Sequence, residues 1–162
     1  MNRATFLKAA LAFAFTAATA LPASAAEGYR VYDPDRDAAA DLRDALSKVE
    51  GTDRRVLVSL GANWCHDSRG LAEHLDRAEL QPLLAPFEVV YIDVKDRDRN
   101  QDLAESWGLL DPSRGQQIGT PNLVVVDADG KRLNSVEDAR GWRRADSKSV
   151  DEVAAWLREW AP

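Results

Sequence analysis

The chain has 162 residues, with 21 lysines and arginines against 27 aspartates and glutamates, and a single cysteine. The length suits one ordinary domain, and 45% hydrophobic residues are enough for a core. The net charge of −6 argues against a nucleic-acid partner, and one cysteine excludes an intramolecular disulfide and any multi-cysteine zinc site.

Arg3 and Lys8 open the chain, and Ala9 to Leu21 is apolar except for Thr16 and Thr19. Pro22-Ala23-Ser24-Ala25-Ala26 then supplies an A-x-A cleavage site. This is the layout of a secretory signal peptide over 1–25. Its apolar run is short for a bilayer span, so no membrane attachment is expected after cleavage. Cleavage after Ala25 leaves residues 26–162, which carry 19 basic and 27 acidic side chains. In an oxidising compartment cysteines are normally paired. A lone one reads as a free reactive thiol or an intermolecular partner.

Tyr29 to Tyr32 is expected as a short strand, followed by the turn Asp33-Pro34-Asp35. Ala38, Leu42, Ala45, Leu46 and Val49 recur at helical spacing, and Gly51 closes that helix. Arg55 to Leu60 is a mostly apolar run typical of a buried central strand. Cys65 to about Arg77 reads as a helix, with one more helical turn over Leu80 to Ala85. Phe87 to Val94 is a second strand, Gln101 to Trp107 a short helix, and Leu109 to Gly119 a loop. Leu123 to Asp127 is a third strand, Ala128-Asp129-Gly130 a hairpin turn, and Lys131 to Leu133 a return strand. Ser149 caps a final helix that runs to Trp160. Such alternation predicts an α/β domain whose mixed sheet is covered by helices.

The chemistry concentrates in Trp64-Cys65-His66-Asp67-Ser68, where a buried strand ends and a helix begins. A cysteine there directs its sulfur at unpaired helix N–H groups and the positive dipole end, and both favour thiolate over thiol. A protonated His66 adds to that effect and Asp67 opposes it. A buried structural cysteine is the bland alternative, but polar neighbours in an end-of-strand loop speak for a functional thiol. His74 lies two helical turns after His66, roughly a dozen ångströms along the helix and too far to share an ion. No metal is expected. The acidic loop from Asp93 to Asp102 lacks the spacing of a calcium loop. Trp142, Trp156 and Trp160 are expected in packing, with Trp142 a candidate for partial exposure.

Three features resemble the thioredoxin superfamily. Trp64-Cys65-x-x-Ser68 follows an apolar strand and matches the W-C-x-x-C motif except at its last position. Ile118-Gly119-Thr120-Pro121 before a strand is similar to the family's cis-proline loop, and Val124 to Lys131 to its hairpin. The resemblance covers nearly all of residues 26–162 and implies a thioredoxin-like fold. It also implies that Trp64, Thr120 and Pro121 form a substrate surface beside Cys65. Asn63 to Arg69 looks like a subgroup of exported bacterial proteins, which implies the periplasm.

The departures decide the chemistry. Ser68 stands where the resemblance implies a resolving cysteine, and Ser59 where it implies a buried acid. Leu110 to Gln117 looks like an insertion close to the active cysteine. Cys65 can attack a disulfide and form a mixed disulfide. Ser68 cannot release it, although its hydroxyl can hydrogen-bond the Cys65 thiolate. Release then needs an external thiol, with glutathione a candidate co-substrate, or a second cysteine of the client. No prosthetic group is implied. The expected partners are protein disulfides or thiols. The rival expectations are a non-catalytic peptide-binding module that uses the cis-proline groove, and a Cys65-linked dimer.

Overall fold

The computed structural model describes residues 30–162, so the leader expected over 1–25 lies outside the described residues. No helix among the described residues is long and apolar enough to cross a membrane.

Helix α1 (Ala38–Val49) starts where the Asp37 side chain accepts a hydrogen bond from Ala40 N, and it buries Ala38, Leu42, Ala45 and Val49. Strand β1 (Arg55–Gly61) is buried along all but its first residue. It is central because it pairs on both sides: parallel with β2 (Phe87–Asp93) and antiparallel with β5 (Asn122–Val126). A strand with neighbours on both edges and helices on both faces must be apolar throughout, which is what its sequence shows. Val56, Val58 and Leu60 turn to α1, with Val90, Ile92, Val124 and Val126 beside them. Leu57 turns the other way, with Leu123 and Val125, onto α2 (His66–Asp76) and α6 (Val150–Trp160). Ser149 begins α6 with a reciprocal capping box to Glu152. The short helices α3 (Gln81–Leu84) and α4 (Gln101–Ser106) bracket β2. The result is the expected mixed sheet flanked by helices.

Four expectations are corrected. Arg30 to Tyr32, the described part of the proposed first strand, is not a strand. The Asn63 side chain binds this segment instead: Tyr32 N donates to Asn63 Oδ1 at 3.2 Å, and Asn63 Nδ2 donates to the Tyr32 carbonyl at 2.6 Å. The return strand shrinks to one bridge between Val126 and Arg132. Here another amide replaces a strand. Asn134 Oδ1 accepts from Val125 N and Nδ2 donates to the Leu123 carbonyl, both at 3.0 Å. Buried backbone groups must be paired, and one buried Asn does this without a ladder. The chain then turns at Ser135 into α5 (Val136–Arg140), a helix the periodicity did not indicate. Trp142 is buried rather than partly exposed, edge-on to Trp156 at 5.0 Å. Within the expected loop, β3 (Leu110–Asp111) and β4 (Gln117–Ile118) form a minimal hairpin around a 3-10 turn at Pro112–Arg114.

Candidate functional site around Cys65

Strand β1 runs out at Gly61, and four residues later the chain enters α2 with Cys65 as its N-cap. Cys65 has extended backbone angles, its N–H donates to the Ala62 carbonyl at 3.1 Å, and its carbonyl accepts from Arg69 N at 3.1 Å. The cysteine is therefore fixed before the first helical turn begins. Its residue is 8% exposed, and Sγ lies 3.8 Å from the Thr120 carbonyl oxygen. The Thr120–Pro121 peptide is cis. The Asn122 side-chain amide closes this loop onto the Gly119 carbonyl.

Trp64 is 48% exposed, the one large hydrophobic side chain exposed among the described residues. Its Nε1 donates to the Lys95 carbonyl at 2.7 Å, and the Arg97 guanidinium sits over its ring at 4.7 Å. The structure thus brings Cys65 against the Thr120 carbonyl of the cis-proline loop, both residues buried, with the exposed Trp64 next to Cys65 in the chain.

Ser68 is fully buried. Its hydroxyl accepts from Ala62 N at 3.3 Å, so its hydrogen bonding goes to the motif's own backbone. The floor also contains a residue that the sequence did not single out for chemistry. Tyr32, also fully buried, makes a 2.8 Å hydrogen bond with Ser59 Oγ and donates to the Ser68 carbonyl at 3.2 Å. Burial pushes its phenol far above the ordinary tyrosine range, so it stays neutral. Gly61 leaves room for the ring: a Cβ there would lie 2.5 Å from Tyr32 Cζ and 2.8 Å from Ser68 Oγ. Tyr32 gives no local sequence signal, because its partners are 27 and 36 residues away.

His66 points its Nε2 at two carboxylates, Asp67 and Asp146, each at 3.3 Å. The two carboxyls interact directly. Burial holds Asp67 above the usual carboxylate range, and the hydrogen bond from Asp67 holds Asp146 below it. Among the described residues this trio is the group whose ligand atoms fall within 4.8 Å of one another. It sits at the N-terminal end of α2, whose dipole works against a cation there. Asp146 was not anticipated, since it approaches from 79 residues away.

A search among curated proteins finds no match. Among solved structures, a disulphide isomerase from Xylella fastidiosa Temecula1 is similar at 32% identity, over 81% of this chain and 96% of that one, with a TM-score of 0.69. A mutant thioredoxin from Halobacterium salinarum NRC-1 shares 22% identity over 76% of this chain and 85% of its own, with a TM-score of 0.47. A family model described as thioredoxin-like matches residues 37–128, more than half of the chain. That match spans both the β1–α2 junction holding Cys65 and the loop of Thr120 and Pro121, and the chain belongs to the thioredoxin-like family.

Proposed function

We propose that the protein is an exported, periplasmic thiol–disulfide exchange protein that works through one thiol. The observation that carries this reading is Cys65 at the N-cap of a helix, its sulfur facing the Thr120 carbonyl beside the exposed Trp64 ring. The similarity to a disulphide isomerase supports it. The Cys65 thiolate attacks one sulfur of a substrate disulfide. A Cys65–substrate disulfide forms, the old S–S bond breaks, and the other sulfur leaves as a thiolate.

Trp64 offers the client an apolar contact, and the Thr120–Pro121 segment offers backbone pairing. Ser68 holds the turn of the motif through Ala62 N, and the Asp67–Asp146 pair offsets the positive charge of a protonated His66. With the floor built from Tyr32, Ser59 and Ser68, no second thiol is at hand to expel the client. Release falls to an external thiol, for which glutathione is the candidate, or to another cysteine of the client.

The test is to incubate the reduced protein with a disulfide-containing client and follow it by non-reducing electrophoresis. A mixed disulfide that disappears in Cys65→Ser, and is discharged by added glutathione, is the expected result. A thiol that reacts only after unfolding, with client binding intact in Cys65→Ser, would replace this reading with a peptide-binding module. A protein that runs as a Cys65-linked dimer would make the cysteine a cross-link. Export predicts a mature chain that begins at Ala26.

A further inference from the structure

The exchange reaction leaves one feature beside Cys65 unused. Arg143, just after α5, lays its guanidinium across Gly119, so closely that a Cβ at position 119 would overlap it. Gly119 directly precedes Thr120, whose carbonyl faces the Cys65 sulfur. The hairpin β3–β4 contributes Asp111, whose Oδ2 is 3.4 Å from Arg143 and 3.7 Å from Arg114. Arg140 anchors to the Leu110 carbonyl at 3.0 Å. Two guanidinium groups, those of Arg143 and Arg114, therefore meet one carboxylate, with Arg140 near enough to repel Arg143, on a chain that is acidic overall. Nε and one terminal nitrogen of Arg143, and Nε of Arg140, are buried and have no hydrogen-bond partner among the described residues, so a ligand reaches them only if the Arg143 side chain shifts. Burial disfavours the charge on Arg143, Asp111 works against that, and Arg140 and Arg114 add a smaller repulsion.

We propose that Arg143, with Arg140 and Arg114, forms a subsite for a carboxylate on the thiol or disulfide that reacts at Cys65. The inference rests on the exchange reading and deepens it by naming the substrate class: acidic thiols and disulfides, with the carboxylate within a few bonds of the sulfur. A carboxylate suits the site because its two oxygens match the planar fork of arginine. The insertion that carries Asp111 has a use in this scheme. Asp111 holds the guanidinium in place, and the incoming carboxylate shares or displaces that contact. The positive cluster also raises the local concentration of anionic substrates.

The test uses reduced protein and three small disulfides of similar size: the disulfide of 3-mercaptopropionate (anionic), hydroxyethyl disulfide (neutral) and cystamine (cationic). The rate constant for the mixed disulfide at Cys65 is measured by mass spectrometry. The expected order is anionic, neutral, cationic, with the spread narrowing as salt is added. Arg143→Met lowers the anionic-to-neutral ratio about tenfold, the scale of one lost charge-assisted contact. Arg114→Gln, on an exposed turn, lowers it less and keeps the test valid if Arg143→Met folds poorly. Asp111→Asn moves the ratio the other way, because it removes the competing carboxylate. Cysteine-peptide disulfides flanked by Glu or Gln then show whether a low-molecular-weight thiol or a client segment carries the charge. A ratio unchanged in both arginine variants overturns the subsite alone. Silence of Cys65 toward all three probes overturns the exchange reading and the subsite with it.

Discussion

Tyr32→Phe isolates the hydroxyl that ties the N-terminal segment to the floor of the Cys65 site. The ring is retained, with its edge-on contact to Tyr91 at 5.6 Å, so packing is conserved. What is lost is the 2.8 Å bond to Ser59 Oγ and the donation to the Ser68 carbonyl. A typical buried hydrogen bond contributes about 1 kcal/mol net, and a buried polar group left without a partner costs about 1–3 kcal/mol. Ser59 is fully buried and is left in that state, so the loss should be about 1–3 kcal/mol. Urea unfolding followed by tryptophan fluorescence measures it. The same calculation makes a second demand. Removing both partners, in Tyr32→Phe with Ser59→Ala, should recover much of the loss, since no orphaned hydroxyl remains. A Tyr32→Phe loss below about 0.5 kcal/mol, or strict additivity of the two changes, would show that the pair is not the linkage described.

Three further outcomes follow. Gly61→Ala should destabilise by about 1–3 kcal/mol, as overpacked sites do, because the new methyl meets the Tyr32 ring at 2.5 Å; melts that match the native protein would refute the close approach. Burial raises the Asp93 carboxyl above its ordinary value, against the opposing pull of Lys95 N and Arg99. The folded state then holds the proton to higher pH than the unfolded chain, so this group's contribution to stability falls as pH rises through that window. Asp93→Asn should therefore gain stability relative to the native protein between acid and neutral pH, and a gain in the opposite direction in paired denaturation curves would refute the sign. Ser68→Cys should free client release from its dependence on external thiol, because the new thiol lies three residues from Cys65 at the same helix start; continued dependence would show that more than the missing thiol strands the intermediate.

The elements that were legible in the sequence are those set by neighbours in the chain. β1 announces itself by an unbroken apolar run because both of its faces and both of its edges are covered. The start of α2 at Cys65 and the capping box at Ser149 are equally local. The failures share one cause. Arg30 to Tyr32 and Lys131 to Leu133 carry strand-like sequences, yet Asn63 binds the Tyr32 backbone and Asn134 takes the β5 edge at Leu123 and Val125 with side-chain amides. No periodicity reveals such a substitution, because it depends on a side-chain amide whose backbone partners lie 9 to 31 residues away.

The same cause explains which part of the site was visible. Trp64, Cys65, Ser68, Thr120 and Pro121 belong to two short stretches of chain, and each stretch carries its own pattern. Tyr32, Asp146 and Arg143 reach the site from separate segments, and nothing in their immediate sequence marks them. Tyr32 occupies the floor with a neutral hydroxyl network in place of a charged group. Asp146 brings a carboxylate to the histidine next to Cys65. Arg143 places a guanidinium one residue from Thr120. The motif thus carries the atom proposed to react, while in the proposed scheme the residues that arrive from a distance select its partners. A variant series confined to Trp64 through Ser68 would therefore change how fast Cys65 reacts. Changes at Arg143 and Asp111 should change what it reacts with, and this separation of rate from selectivity is where the two halves of the site can be told apart.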